Sequence, residues 1–449
     1  MPATRTRGRV SPARACAMRV IRRVFEQGAY ADRAFTGEAA ELEPRDRALA
    51  MALSYGTVQR RATLDHVAAQ LLDGRLDRLD PPVLAALRLG LFELLFMGGS
   101  ARHAVVNESV ELAKRESRGG AGLVNAVLRR AVREGPGILA GLGDETPETA
   151  AILHSVPGWL AAQWWDELGP EEARALLGVV NQPAESALRI NTLVATPAEV
   201  AGALPVAARA APGIPEGLVL EGPFDVQGSE LWRDGAVQPQ SRASMLVSRI
   251  LDPEPGQRVL DLCAAPGGKT THLAALMEDR GEIVAVERHP GRAAALERSA
   301  ARLRAAIVAV HVGDAAQDRS DGPFDRVLVD PPCSGLGTLQ SRPDLRWRVG
   351  QAGPDSIVEL AELQGRILGA GAAAVAPGGA LVYSVCTFTR AEGPGVVERF
   401  LDGQEDFTVE DLSERLPEGL RGVATGPGAQ LLPHRDGTDG FFIARLRRG

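Results

Sequence analysis

The sequence predicts a multidomain protein in which an all-α bundle precedes an α/β domain with a Rossmann-like sheet. Residues 11–135 carry apolar side chains at helical spacing and show no alternating strand pattern. From about residue 232, short apolar strands alternate with helices, which is typical of a mostly parallel sheet covered on both faces. A chain of 449 residues has room for about three domains. We therefore predict domains over 1–140, 141–231 and 232–449, the middle one comprising linker helices and a small α/β subdomain.

The helical elements follow from periodicity and from residues that begin or end helices. Apolar residues recur at helical spacing in five segments: 11–27, 45–72, 80–96, 103–117 and 122–134. Asp80 and Pro81 predict a capped helix start. The Gly- and Pro-rich stretch 135–150 predicts a linker, followed by further helices over 151–180.

The strands follow in the second half of the chain. A strand is predicted within 187–195, followed by a turn and a helix over 196–204. The Ala/Pro-rich stretch 203–216 is predicted to be a loop. The main sheet is predicted to contain strands over 258–262, 282–287, 307–312, 325–330, 380–385 and 441–448. Ligands of such sheets bind beyond the carboxyl ends of the strands, so that edge should carry the chemistry.

Composition excludes several classes of protein. Hydrophobic residues make up 45% and charged residues 24% of the chain, which is ordinary for a globular protein and excludes general disorder. No apolar run approaches about 18 residues, so we expect neither a membrane span nor a signal peptide, and we expect a cytoplasmic location. The cysteines at 16, 263, 333 and 386 lack zinc-site spacing, so neither a metal nor a disulfide framework is expected.

Charge is distributed unevenly along the chain. Residues 1–140 contain 22 Lys and Arg against 15 Asp and Glu, whereas 141–449 contain 28 against 42. The first 25 residues hold seven arginines and no acid. A basic segment of this kind suits a polyanion such as RNA, and the alternative is a solvated arm that has no partner.

A nucleoside site is predicted beyond the first three strands of the sheet. Gly267 and Gly268 follow the first strand and allow a ligand to approach the backbone closely. Glu287 ends the second strand, where an acid can bind ribose hydroxyls, and Asp314 follows the third. Because no pyrophosphate-binding motif is present, S-adenosylmethionine fits this site better than NAD.

Two cysteines and an aspartate are predicted to share one cleft. Asp330 and Cys333 follow the fourth strand, and Cys386 follows the fifth. One isolated cysteine would more often be a small core residue. Two cysteines at neighbouring strand ends, beside an acid, favour a reactive pair.

The segments DLCAAPGGKTTHL, DPPCSGLGTLQSRPDLRW and YSVCT resemble the RsmB/Sun type of RNA cytosine-C5 methyltransferases, the NOL1/NOP2/Sun family. ALSYGTVQRRATLD, LRLGLFELLF and GLVNAVLRR are similar to the NusB fold. The resemblance implies a NusB-like RNA-binding domain ahead of a class I S-adenosylmethionine-dependent methyltransferase domain. It also implies 16S ribosomal RNA as substrate, free or in early assembly, and a monomeric enzyme.

The resemblance also implies roles for individual residues. Cys386 would attack the base, Cys333 would assist product release, and Asp330 would contact the cytosine. Lys269 would support either the ring carbonyl or Asp330, two roles that stay open at this stage. The methyl donor would be held by Cys263, Ala264, Ala265, Pro266, Gly267, Gly268, Lys269, Glu287, Asp314 and Asp330.

Some positions depart from the family's usual pattern, and some functions stay open. Pro239, Gly393 and the Gln340–Ser341 pair replace residues common in the family, which affects expected RNA contacts and the loop after Cys386. The same chemistry on tRNA or another RNA, or a non-catalytic NusB-like binding factor, are the alternatives. The RNA path could be lined by Arg342, Arg346, Trp347 and Arg348, or these residues could form a solvated helix face.

Overall fold

The computed structural model describes residues 10–72, 74–117, 119–317, 321–417, 420 and 424–449. The described residues form two compact units. The first contains the residues up to Gln182 together with Leu339–Pro354, and the second contains Pro183–Thr338 and Asp355–Gly449. Arg5, Arg7 and Arg9 of the predicted basic segment lie outside the described residues.

The helices, in chain order, are α1 (Pro12–Gln27), α2 (Ala31–Glu38), α3 (Pro44–Gln59), α4 (Arg61–Leu71), α5 (Pro81–Phe96), α6 (Arg102–Glu116), α7 (Ala121–Ala140), α8 (Pro147–His154), α9 (Gly158–Leu168), α10 (Pro170–Val179), α11 (Pro197–Ala203), α12 (Glu230–Arg233), α13 (Arg242–Leu251), α14 (Gly268–Leu276), α15 (Pro290–Arg302), α16 (Leu345–Ala352), α17 (Asp355–Ala373), α18 (Pro394–Leu401) and α19 (Pro433–Asp436). The strands are β1 (Ala187–Ile190), β2 (Ala208–Ala210), β3 (Gly217–Leu220), β4 (Val237–Pro239), β5 (Arg258–Leu262), β6 (Glu282–Glu287), β7 (Val308–Val312), β8 (Phe324–Val329), β9 (Val375–Val385), β10 (Phe407–Val409), β11 (Ala424–Thr425), β12 (Gly428–Leu431) and β13 (Phe441–Arg448).

The first unit is helical, as the sequence predicts. Pro81 occupies the first turn of α5, but Asp80 does not cap it, because its carboxylate accepts a hydrogen bond from Ser117 Oγ at 2.9 Å. The predicted linker is shorter than expected, since α7 continues through Pro136 to Ala140. An interior proline removes one backbone donor. Ile138 and Leu139 pack against the core of the bundle, and this burial offsets the loss.

The described arginines of the N-terminal segment lie in helix α1 and are paired with acids. Arg14 is buried and donates to Glu93 and, at 3.0 Å, to Glu108. Arg22 forms an ion pair with Glu26, and Arg19 and Arg23 both contact Glu38. These four side chains therefore stabilise the bundle rather than form the free basic arm that the charge pattern indicates.

Helix α16 packs within the first unit, which overturns one expectation about the RNA path. Arg346 is fully buried and donates to the carbonyl oxygens of Ser155 at 3.0 Å and Val180 at 3.1 Å. Trp347 is 9% exposed, and its indole N–H donates to the carbonyl of Val58 at 2.7 Å. Because their polar groups bind backbone oxygens, these two residues do not line an RNA path.

The second unit contains two sheets. In the larger one the strands run in the order β11-β12-β13-β9-β8-β5-β6-β7, with β10 paired to β13. Strands β5 to β9 pair in parallel, and β13 joins β9 antiparallel, with Phe442 opposite Val385. The predicted strands are found within a few residues of their expected bounds. The expectation of an α/β Rossmann-like domain is therefore confirmed.

The smaller sheet has the order β2-β3-β1-β4 and is antiparallel. Its strand β2 lies inside the stretch 203–216 that was expected to be a loop. Three-residue strands such as β2 and β4 are too short to show an alternating pattern, so the sequence did not reveal them.

Candidate active site

Five parallel strands of the larger sheet end at one edge, and each is followed by a residue singled out from the sequence. Cys263 follows β5, Glu287 ends β6, Asp314 follows β7, Asp330 follows β8 and Cys386 follows β9. Parallel strands bring their carboxyl ends together, so the topology gathers these residues at the edge where such sheets bind ligands.

The loop from Cys263 to Lys269 turns tightly between β5 and α14. The Ala264 N–H donates to the carbonyl of Val286 at 2.9 Å and ties the loop to β6. Gly267 has a φ of +100°, in the left-handed region, and a Cβ there would collide with Leu296. Only glycine suits that position, because a side chain there would meet Leu296 of α15. At Gly268, which begins α14, the nearest atom to a Cβ is Gln240 Oε1 at 3.9 Å, so there is more room beside the backbone there.

The acids beside this loop have carboxylate oxygens that can still accept hydrogen bonds from a nucleoside. Glu287 is buried, and its Oε1 accepts the His289 N–H at 2.8 Å while Oε2 lies 3.4 Å from Arg292 Nε. Asp314 is exposed and accepts the Ala316 N–H at 3.0 Å. Each carboxylate oxygen can accept more than one hydrogen bond.

A further acid lies beneath the loop. Asp261 on β5 is 1% exposed, and its Oδ2 accepts from Thr270 Oγ1 at 2.6 Å. Burial raises the pKa of Asp261 to about 7. Its Oδ1 is buried and has no hydrogen-bond partner among the described residues. With the bare glycines and Glu287, this acceptor fits a site for S-adenosylmethionine.

The thiols of Cys333 and Cys386 are in contact, with 3.3 Å between their sulfur atoms. The hydrogen bond to Cys386 and burial raise the pKa of Cys333 well above its usual value. Burial likewise raises the pKa of Cys263 to about 12, so its thiol stays protonated. Cys16 is buried in α1 of the other unit. The pair predicted from the sequence is thus brought together.

Asp330 is held from two sides. Lys269 Nζ donates to Oδ2 at 2.8 Å, and Ser384 Oγ donates to Oδ1 at 2.8 Å. Burial opposes the charge of Lys269, but the attraction of Asp330 raises the pKa of the ammonium above its usual value. Lys269 also lies 5.2 Å from the ring centroid of Phe441. Of the two roles considered for Lys269, this geometry corresponds to supporting Asp330.

Several residues of the site were not singled out from the sequence. Ser384 contacts Asp330, and Glu392 accepts hydrogen bonds from both the backbone and the hydroxyl of Ser334, the residue after Cys333. Gln364 on α17 donates to the carbonyl of Pro332 at 3.0 Å. The spacing of residues around Glu392 gives no sign in the sequence that this acid contacts residues across the site.

Among the described residues, no group of three or more His, Cys, Asp and Glu side chains is placed to hold a metal ion. No helix in the described part of the chain is both long and apolar enough to cross a membrane.

The sheet order, the glycine loop after its first strand and the acids at the following strand ends define an S-adenosylmethionine-dependent methyltransferase. Residues 248–447 match the model of the 16S rRNA methyltransferases RsmB/F, 11–133 match the NusB family, and 156–227 match the ferredoxin-like domain of RsmF/B-like methyltransferases. The chain belongs to the RsmB/F family of RNA methyltransferases. The helical N-terminal domain is accordingly a NusB domain, as predicted.

The relatives cover nearly the whole chain. A Synechocystis protein named "Probable ribosomal RNA small subunit methyltransferase B" is 36% identical over 97% of this chain and 99% of its own length. The ribosomal RNA small subunit methyltransferase B of Thermus thermophilus is 37% identical over 90% of this chain and 89% of its own. The crystal structure of PH0851 matches with a TM-score of 0.80 and 28% identity, over 99% of this chain and 100% of that one.

Proposed function

We propose that this enzyme methylates C5 of a cytosine in 16S ribosomal RNA through a covalent bond between Cys386 and C6 of the base. The observation that carries the proposal is the contact of two thiols beside the Asp330–Lys269 pair at one sheet edge. The names of the relatives support ribosomal RNA as the substrate. We expect the enzyme to act as a monomer in the cytoplasm, on free or assembling RNA.

Cytosine C5 is a weak nucleophile, and a thiol can activate it. Addition of the Cys386 thiolate to C6 forms a C–S bond and moves the electrons of the C5–C6 double bond toward C5, N3 and O2. When bound, S-adenosylmethionine would supply the electrophilic methyl group for C5, and S-adenosylhomocysteine would be the leaving group. Solvent water accepts the C5 proton, the electron pair of the C5–H bond re-forms the C5–C6 double bond, and the C–S bond breaks to release Cys386 as a thiolate.

The neighbouring side chains have roles that follow from their contacts. We assign Asp330 the contact with the N3 edge of the base, where it must be protonated or paired with N3–H to stabilise the charge that develops there. Lys269 and Ser384 fix its carboxylate. Cys333 lies against the attacking sulfur and assists the release step. The raised pKa of Cys333 favours its protonated thiol form. The target base must leave its stack to reach this edge.

Substitution of the two cysteines should block the reaction at different steps. Each variant is incubated with 16S RNA and labelled methyl donor, and the RNA is resolved on a denaturing gel. Cys386→Ala should give neither methylated RNA nor an adduct, because the attacking sulfur is gone. Cys333→Ala should methylate and then stall with RNA attached. Cys16→Ala is the matched control, since that cysteine is buried in the other unit, and it should behave as wild type.

Several outcomes would contradict this assignment. The reverse pattern would exchange the roles of Cys333 and Cys386. Full turnover in both variants would remove the covalent mechanism. Methylation of tRNA in place of 16S RNA by the wild-type enzyme would change the substrate and leave the chemistry intact.

A further inference from the structure

Glu392 forms a hydrogen-bonded hub between the loops that carry the two cysteines. Its side chain is fully buried. Oε1 accepts from the Ser334 N–H at 2.8 Å and from Gln364 Nε2 at 3.1 Å. Oε2 accepts from Ser334 Oγ at 2.6 Å and from Thr389 Oγ1 at 2.9 Å. The carboxylate therefore binds the residue that follows Cys333 and a residue three positions after Cys386.

The same hub holds the chain on both sides of Cys333. Gln364, which donates to Glu392, also donates to the carbonyl of Pro332, the residue before Cys333. Ser334 Oγ lies 3.0 Å from Thr387 Oγ1, and Thr387 follows Cys386 directly. Tyr383 anchors the backbone of Glu392, because its hydroxyl donates to the Glu392 carbonyl at 2.6 Å.

A small displacement of these loops would matter for the chemistry. The thiols are 3.3 Å apart, and neither has a direct contact with Glu392 among the hydrogen bonds of the described residues. A misplacement of about 1 Å in a reacting group can slow a step by about 100-fold. The release step needs the sulfur atoms of Cys333 and Cys386 in contact, whereas the attack on the base needs only the sulfur of Cys386.

We propose that Glu392 is a positioning residue that fixes the Cys333 loop against the loop after Cys386 and thereby sets the geometry of the release step. This inference rests on the proposed function, because it assumes that Cys386 bonds to the RNA and that Cys333 assists its departure. A residue with a purely structural role would lower stability and the fraction of active enzyme. A positioning residue changes how each active molecule divides between stalled adduct and free product.

Two substitutions at this position separate hydrogen bonding from charge. Glu392→Ala removes all four side-chain bonds. Glu392→Gln keeps the size of the side chain, and its amide can donate to the hydroxyls of Ser334 and Thr389, which are able to accept. We therefore expect Glu392→Gln to restore release relative to Glu392→Ala. Glu398→Ala is the matched control, because Glu398 lies on the adjoining helix α18 and pairs only with Arg390 among the described ion pairs.

The experiment is a single-turnover reaction with labelled 16S RNA and excess enzyme, followed on denaturing gels. We expect Glu392→Ala to release RNA about 10- to 100-fold more slowly than wild type and to accumulate adduct, as Cys333→Ala does. Calorimetric affinity for S-adenosylmethionine should match wild type, which shows that the donor site is intact. Glu398→Ala should release at the wild-type rate.

The results distinguish failure of this inference from failure of the proposed function. If Cys333→Ala accumulates adduct but Glu392→Ala releases at the wild-type rate, the positioning role is wrong and the covalent mechanism stands. If neither Cys333→Ala nor Cys386→Ala gives an adduct and both variants turn over as wild type does, the covalent mechanism is wrong, and the positioning role is then wrong as well. If Glu392→Ala does not fold, Ser334→Ala decides the question: slower release supports the hub, and wild-type release overturns it.

Discussion

Glu287→Ala should weaken the binding of S-adenosylmethionine by about 10- to 100-fold. Each Glu287 oxygen already has one neighbour, the His289 N–H at 2.8 Å and Arg292 Nε at 3.4 Å. Each oxygen keeps acceptor capacity for one ribose hydroxyl. A hydrogen bond to a charged group contributes about 1.5–3 kcal/mol. In the complex of the variant, water partly replaces the two hydrogen bonds to the ribose. We therefore assign a loss of about 1.5–3 kcal/mol to both bonds together, which corresponds to a 10- to 100-fold change in affinity.

The assay is isothermal titration calorimetry with S-adenosylmethionine, and the same strand supplies a control. Glu282 begins β6, at the opposite end from Glu287, and its carboxylate pairs with Arg258. Glu282→Ala therefore removes an acid from β6 without touching the donor site and should bind as wild type. Wild-type affinity in Glu287→Ala would refute the ribose contact. Equal losses in both variants would show that the effect acts through the stability of the strand.

Two further predictions concern stability and loop packing. Burial lowers the pKa of His272 to about 4, below the ordinary value of 6.5, so its contribution to stability is present at neutral pH and is lost as pH falls. Chemical denaturation should show the free energy of unfolding of wild type, relative to that of His272→Gln, falling by about 2 kcal/mol from pH 7 to pH 5. The raised pKa of Asp261 acts in the opposite direction over this range, but it does so in both proteins, so the difference isolates His272. Gly337 donates its N–H to the Cys386 carbonyl at 3.0 Å, and a Cβ there would collide with the carbonyl of Gly440. Gly337→Ala should therefore slow methyl transfer by about 100-fold in a labelled-methyl assay with unchanged donor affinity, and wild-type activity would contradict the packing argument.

The strands that build the site could be predicted because their apolar side chains are continuous and buried. Strands β5 and β6 have the bounds expected from the sequence, and β13 also agrees, although it is antiparallel. Parallel topology then fixes which residues share an edge, so the pairing of Cys333 with Cys386 followed from strand ends alone. Local sequence was sufficient to predict where a site residue lies wherever that place depends only on the end of one strand.

The parts that could not be predicted depend on contacts between distant segments. Arg346 looked like a surface cation because the sequence does not show which backbone oxygens surround it. In the structure Leu339 supplies one of those oxygens, but those of Ser155 and Val180 come from more than 160 positions away. Glu392 is a similar case, because its partners Ser334 and Gln364 are 58 and 28 positions distant. Periodicity carries no information about such long-range hydrogen bonds.

Lysine is scarce in this chain, and one of its lysines lies at the candidate active site. The chain has 50 Lys and Arg residues, and Lys114 and Lys269 are the only lysines. Lys269 occupies a narrow place, with its ammonium 2.8 Å from Asp330 and 5.2 Å from the ring of Phe441. An ammonium is a compact charge that can contact one carboxylate oxygen, whereas a guanidinium is a wide planar fork that favours both. Ser384 already occupies the second oxygen of Asp330. A guanidinium at this position would compete with Ser384 for that oxygen, so the geometry favours a lysine here in a chain that has arginine at nearly all of its other basic positions.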